Sequence, residues 1–127
     1  MKIKIARFIA LAAIIGLTFT ACGGGGLSKK DFIGTWIAGG YSCTISDKEI
    51  ILELDTSQDK FRIDSVIPME NTNVKTKDNY PRGIRFTCTL TATTGYDQPG
   101  RTEEINYYMH PSKKEFVNIY NAVFKKQ

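Results

Sequence analysis

The residues that could support chemistry are few and widely spaced. The 127-residue chain has a single histidine, His110. Its three cysteines are Cys22, Cys43 and Cys88. One histidine with no nearby cysteine or acid forms neither a catalytic triad nor a metal site. Glu103 and Glu104 are adjacent, so on a strand they would face opposite sides and form a poor acid–base pair. We therefore expect no enzyme, no metal site and no cofactor.

The first cysteine follows a segment that reads as an export signal. Residues 1–7 carry three basic side chains and no acid, and residues 8–21 form a run of 14 uncharged residues. A basic start followed by an apolar run is typical of a secretory signal peptide. A membrane-spanning helix needs about 20 apolar residues, so this run is short for one. We predict a signal peptide over residues 1–21.

The end of that segment, Leu17 to Cys22, resembles the lipobox of bacterial lipoproteins, with Ala21 directly before Cys22. In that family the cysteine receives diacylglycerol and becomes the new N-terminus. The resemblance implies lipidation of Cys22, a Gly-rich tether over residues 22–30, and a lipid-anchored, extracytoplasmic location at the cell membrane or outer membrane. The alternatives are an ordinary cleaved signal that leaves Cys22 as a spare thiol, and an uncleaved anchor helix.

Lipidation of Cys22 would explain the odd cysteine count and leave Cys43 and Cys88 as a potential pair. A disulfide is permitted outside the cytoplasm. Both cysteines share strand parity with apolar neighbours, so both are expected to point inward. We predict a Cys43–Cys88 disulfide, with two simply buried thiols as the alternative.

After Ser28 the apolar residues recur mainly at every second position, as in half-buried strands. The strand-like segments are residues 32–38, 41–45, 50–55, 61–67, 83–94, 105–109 and 115–125. The last is apolar on both faces, which suits a twice-covered strand or a short helix, and its β-branched and aromatic residues favour the strand. The polar connection 68–82 is expected to be functional or mobile. We predict an all-β, antiparallel up-and-down barrel of about seven to eight strands over residues 31–127.

The first of these segments contains Gly34-Thr35-Trp36, which resembles the Gly-x-Trp that opens the first strand of calycins, the lipocalin-like and avidin-like barrels. The resemblance implies that Gly34 allows close approach and that Trp36 plugs the closed end of the barrel. A cation packs over this tryptophan in lipocalins, and only Lys125 or Lys126 could do so here. The alternative is a buried core tryptophan in an unrelated β domain.

The charge balance argues against a nucleic-acid partner. Three of the 17 basic residues lie in the first seven positions, which leaves 14 basic against 13 acidic residues in the remainder. Such an interspersed, nearly neutral surface lacks the basic patch that nucleic acids select. The expected partners are the membrane, through the lipid, and one molecule that the sequence does not identify.

We interpret the domain as a non-enzymatic binding module for a small apolar ligand or a protein partner. Four tyrosines are candidate contacts: Tyr41, Tyr80, Tyr107 and Tyr108. Tyr41-Ser42-Cys43 resembles the Tyr-x-Cys of small lipoprotein inhibitors of c-type lysozyme, and periplasmic protease inhibitors share the Gly-x-Trp start. An inhibitor of an extracytoplasmic enzyme and a structural envelope lipoprotein are therefore the alternatives.

Overall fold

The computed structural model describes residues 27–127, so the predicted signal peptide and Cys22 lie outside the described residues. A 3-10 helix, Lys29–Phe32, precedes eight strands. The strands are β1 (Gly34–Ala38), β2 (Tyr41–Ile45), β3 (Glu49–Leu54), β4 (Ser57–Glu70), β5 (Arg82–Thr93), β6 (Thr102–Met109), β7 (Glu115–Val117) and β8 (Val123–Lys126). Each pairs antiparallel with the next, and β8 returns to β1, which closes the barrel. The predicted all-β up-and-down barrel is confirmed, and it is consistent with a calycin-like fold.

The 3-10 helix lies across one end of the barrel, which we call the closed end. It is tied to the β2–β3 turn by Lys29, whose Nζ lies 2.9 Å from Asp47 Oδ1. It is tied to the β6–β7 turn by Asp31, whose Oδ1 lies 3.2 Å from Lys113 Nζ. Because the helix contacts turns from both sides of the barrel, its last residue, Phe32, is held over the core and is fully buried.

The barrel interior is filled by aromatic rings. Trp36 packs against Phe116 with ring centroids 4.7 Å apart, and Phe116 stacks on Phe124 at 5.1 Å. Tyr107 lies 4.5 Å from Phe116, and Phe32 meets Phe86 edge-on at 5.7 Å. Offset and edge-on pairs of this kind stabilise a core beyond the area they bury. The centre of the barrel is thus a packed core.

Gly34 starts β1 at a place where a side chain would be crowded and strained. Its φ is +140°, and a Cβ there would lie 3.3 Å from Cε of Lys126. The Lys126 ammonium in turn lies 5.6 Å from the centroid of the Trp36 ring, a cation–π distance. Of the two lysines named from the sequence, Lys126 is the one over the tryptophan.

Two segments differ from the sequence expectations. The expected connection 68–82 is shorter, because β4 continues to Glu70 across irregularities in its pairing with β5. Within β4, Ile67 is 47% exposed, although the alternation of residues 61–67 predicted that it points inward. The expected strand 115–125 is split into β7 and β8 by a turn at 118–122, so Tyr120 points to solvent while Phe116 and Phe124 fill the core.

Candidate functional site

Trp36, the residue that the calycin resemblance predicts to plug the barrel, lies in the aromatic core. It is fully buried, and its indole Nε1 donates a 2.8 Å hydrogen bond to the carbonyl oxygen of Phe32. The bond satisfies a donor that would otherwise be costly to bury. Gly34 lies two residues earlier, where it gives Lys126 room to cover the ring.

The predicted Cys43–Cys88 disulfide is absent from the structure, in which both residues are free, buried thiols. Both point inward as expected, but β3 and β4 lie between their strands. The hydroxyl of Tyr107 instead lies 3.7 Å from Cys43 Sγ. Strand parity determined the face of each cysteine but did not determine its neighbour.

The thiols should therefore be inert while the chain is folded. We expect Cys43 and Cys88 to resist a thiol-specific reagent at pH 8 in the native protein and both to react after unfolding in guanidinium chloride without reductant. Thiolate is the reactive species, and burial raises the pKa of both thiols to about 12. Failure to detect thiol at either position after unfolding would show a disulfide and contradict this assignment.

Burial of the Cys43 and Cys88 thiols also makes the free energy of unfolding depend on pH. In the unfolded chain both thiols ionise near pH 9.0, whereas in the folded chain they stay protonated to about pH 12. The folded state therefore binds more protons in this window, and stability falls as pH rises through it, by at most about 1.4 kcal/mol per pH unit for each thiol. Urea unfolding at pH 8 and 10.5 measures the slope. Cys43→Ala should make it shallower, and an unchanged slope would count against the assignment.

The four candidate tyrosines do not form one site. Tyr41 is exposed at the start of β2, whereas Tyr80 lies in the connection before β5, where its hydroxyl donates a 2.8 Å hydrogen bond to Glu115 Oε2. Tyr107 is buried in the aromatic core, and Tyr108, next to it on β6, faces outward. Strand alternation separates even the adjacent pair, and the role of these tyrosines as ligand or partner contacts stays a prediction.

The structure instead has an opening in its wall, which we call the notch. β7 pairs with β6 only at Tyr108 and Met109, and then the chain turns back into β8. The other edge of β6, over residues 102–106, has no neighbouring strand among residues 27–127. A cavity of about 140 Å³ lies there, lined by Leu52 of β3, residues 103–107 of β6 and residues 118–120 of the turn.

The turn beside the notch is held by Asn118. Its side-chain oxygen accepts hydrogen bonds from the backbone N–H groups of Tyr120 and Ala122, at 2.9 and 3.0 Å. Asn121 adopts a left-handed conformation with φ of +67°, which asparagine tolerates better than most residues. The result is a fixed platform that presents Ile119 and Tyr120, with Tyr120 81% exposed.

A second groove continues from the notch along the outside of β6. It has a volume of about 340 Å³ and shares Asn118 and Ile119 with the notch. Its far wall is the 71–81 connection, whose buried Asn71 donates to Thr76 Oγ1 at 2.9 Å and to the carbonyl of Tyr80 at 2.8 Å. The connection is thus held in place by its own hydrogen bonds and forms one side of the groove.

The notch carries a negative bias. Glu103 and Glu104 lie at the middle of the free edge, and Asp97 lies close by. Arg101 contacts Glu103 at 2.6 Å and Asp97 at 3.2 Å, and Arg85 lies 3.8 Å from Glu104. Three acids against two arginines leave an acidic edge.

The remaining expectations from the sequence concern His110, metal binding and membrane-spanning helices. His110 Nδ1 accepts a hydrogen bond from the backbone N–H of Ser112 at 3.0 Å, so its ring organises a turn. Within residues 27–127, no cluster of three or more histidine, cysteine or acidic side chains could hold a metal ion. Across the same residues, no helix has the length and apolar character needed to span a membrane.

Compared with protein-family models, curated proteins and solved structures, the chain matches none of them. Sequence reasoning missed the notch because residues 115–125 read as one strand. The signal that could have revealed it is the pair Asn118 and Asn121, since asparagines three residues apart are typical of a turn.

Proposed function

We propose that the chain is a membrane-anchored, extracytoplasmic lipoprotein whose barrel is a non-enzymatic module that binds a protein partner at the notch. The observation that carries this proposal is the filled interior. Lipocalin-like carriers hold ligand inside the barrel, whereas the rings of Trp36, Phe116, Phe124 and Tyr107 occupy that space here. Binding is therefore assigned to the outer surface, where the notch has a free backbone edge and exposed aromatic and apolar side chains.

The position of the tether agrees with this arrangement. Leu27 begins the described chain beside Met109 and Lys113, at the closed end. Because β6 runs from Thr102 to Met109, the free edge near Thr102 lies toward the other end. A lipid on Cys22 would then hold the closed end near the membrane and leave the notch facing away from it, accessible to a partner.

Lipidation has its own test. We expect Cys22→Ser to abolish signal processing by the lipoprotein route and to release the domain from the membrane fraction, because the anchor of this family is attached through that sulfur. Cys88→Ala, which removes a thiol but leaves the lipobox intact, is the matched control and should remain membrane-bound. Unchanged retention and mobility of the Cys22→Ser protein would defeat the anchor proposal.

The filled interior can be tested with the only tryptophan in the chain. In detergent micelles, a brominated fatty acid should leave the emission of Trp36 unchanged in the full-length protein, since no space beside the ring admits it. Phe116→Ala opens a cavity against Trp36 and serves as the positive control. Strong quenching in the wild-type chain would favour a carrier of small apolar molecules.

A second candidate function is supported by the cleft at the closed end. This cleft has a volume of about 290 Å³ and is lined by Leu27, Pro81, Arg82, Met109, His110, Pro111 and Lys113. Apolar walls with basic residues at the rim suit a small amphiphile with an anionic head. Equilibrium dialysis with a labelled fatty acid distinguishes the candidates: saturable one-to-one binding, weakened by Met109→Glu, would favour this cleft over the notch.

A further inference from the structure

The free edge of β6 is a pairing surface of useful length. Residues 102–106 span about 17 Å at about 3.4 Å per residue. In an antiparallel strand, alternate residues direct both backbone groups to the same side, so part of this segment turns its N–H and C=O groups away from β5. No strand among residues 27–127 pairs with this side of residues 102–106. Such unpaired groups form a ready template for another strand.

We propose that the notch binds its partner by strand addition: an extended, basic segment of a second protein pairs with residues 102–106 of β6. This inference rests on the proposed function and names the form of the partner. Strand addition takes affinity from main-chain hydrogen bonds and specificity from alternate side chains. The segment would complete the wall where β7 is too short to do so.

The two faces of the notch define the side chains of that segment. On the inner side, Leu52, Ile105 and Tyr107 offer apolar contacts. On the outer side, Glu104 is exposed, and Asn106 lies next but one along the strand. A segment that alternates apolar residues with lysine or arginine therefore fits both faces, with its apolar residues inward and its cations opposite Glu104.

Charge disfavours a second copy of this chain as the occupant. In a two-fold antiparallel pairing centred near the middle of this edge, Glu104 would face Glu104 of the other copy, or Glu103 would face Glu103. Like charges directly opposite destabilise a strand pair. The glutamates thus block self-pairing, which is a known protection of sheet edges, while they attract a basic strand.

The platform at Asn118–Tyr120 lies beside the edge and adds contact area. Tyr120 is exposed to 81% although its backbone N–H is hydrogen-bonded to Asn118. Tyrosine is frequent at binding hot spots because it offers a large rigid ring at low entropic cost. A strand seated in the notch would cover this ring. The residues of the partner that follow this strand would lie in the second groove, which shares Asn118 with the notch.

The test uses the full-length protein in detergent and three eight-residue peptides of alternating valine and lysine. One is unmodified, one is N-methylated at every valine, and one at every lysine. The N–H groups of alternate residues point to opposite edges, so strand addition predicts that only one methylated peptide loses binding, by at least tenfold. Equal loss in both, no loss in either, or no binding of the unmodified peptide would overturn the proposal.

A charge reversal and an exchange measurement locate the peptide. Glu104→Lys should weaken the binding of the valine–lysine peptide at least tenfold and should allow a valine–glutamate peptide to bind. Backbone amides within 102–106 should become protected from hydrogen exchange only in the complex. Protection elsewhere, or a dimer of the free protein whose interface protects these amides, would overturn strand addition.

The outcomes separate this inference from the function on which it rests. If the peptides fail while a cross-linker at Tyr120 still joins a specific protein, the partner binds without strand pairing and the binding module stands. If the brominated fatty acid quenches Trp36, the protein-binding proposal fails whatever the peptides do.

Discussion

Trp36→Ala is expected to lower the free energy of unfolding by about 3–5 kcal/mol, the usual cost of truncating a buried aromatic residue. The substitution removes a fully buried ring that packs at 4.7 Å on Phe116. It also leaves the carbonyl of Phe32 without its indole donor. Because a domain of this size has a total stability of about 5–15 kcal/mol, the loss is a large part of the whole. Urea denaturation followed by far-UV circular dichroism measures it.

Tyr120→Ala is the matched control, since it removes an aromatic ring that is mostly exposed. It should change stability by no more than about 0.5 kcal/mol, as surface substitutions do. A loss below about 1 kcal/mol for Trp36→Ala, comparable to this control, would mean that the tryptophan does not close the barrel. Wild-type emission should be blue-shifted and protected from aqueous quenchers, and solvated emission would lead to the same conclusion.

Gly83→Ala is expected to be at least as damaging. A Cβ at position 83 would collide with the backbone oxygen of Tyr107 and lie 2.7 Å from Cδ1 of Tyr108. The first contact is with backbone in a paired strand, so it can be relieved only by separating β5 from β6. We expect a loss at or above the upper end of the about 1–3 kcal/mol usual for overpacked sites.

Gly95→Ala provides the matched control for that substitution. Its Cβ would meet only Thr93 Oγ1, at an ordinary 3.5 Å, in an exposed loop. The change should be neutral or mildly stabilising, because alanine restricts the unfolded chain. If Gly83→Ala unfolds at the same urea concentration as Gly95→Ala, the close approach of β5 and β6 at this point is wrong.

The sequence predicted most strongly the features that depend on alternation within a strand. Residues 84, 86, 88 and 90 alternate without interruption, and all four are buried in β5 as expected. The inward direction of Cys43 and Cys88 was predicted for the same reason. Alternation specifies a face and not a neighbour, so the number of strands between the two cysteines could not be derived from it.

The candidate site depends on a mismatch of strand lengths, which no single segment displays. β7 has three residues and β6 has eight, and β7 pairs with β6 only at Tyr108 and Met109, which leaves the edge at residues 102–106 free. The apolar residues Ile119 and Val123 continue the strand pattern across the break, so local composition favoured one strand over 115–125. The hydrogen bonds of Asn118 override that preference, since they satisfy the backbone in a turn as well as a ladder would.

The most direct test of the central claim, that this domain binds a protein at the notch, is site-specific photo-crosslinking in intact cells. A photoreactive amino acid replaces Tyr120 in one strain and Lys48, on an exposed turn at the closed end, in another. The structure predicts a discrete cross-linked product from position 120 that is lost when Glu104→Lys is added, and no such product from position 48. The absence of a product at 120, or the same product from both positions, would contradict the claim.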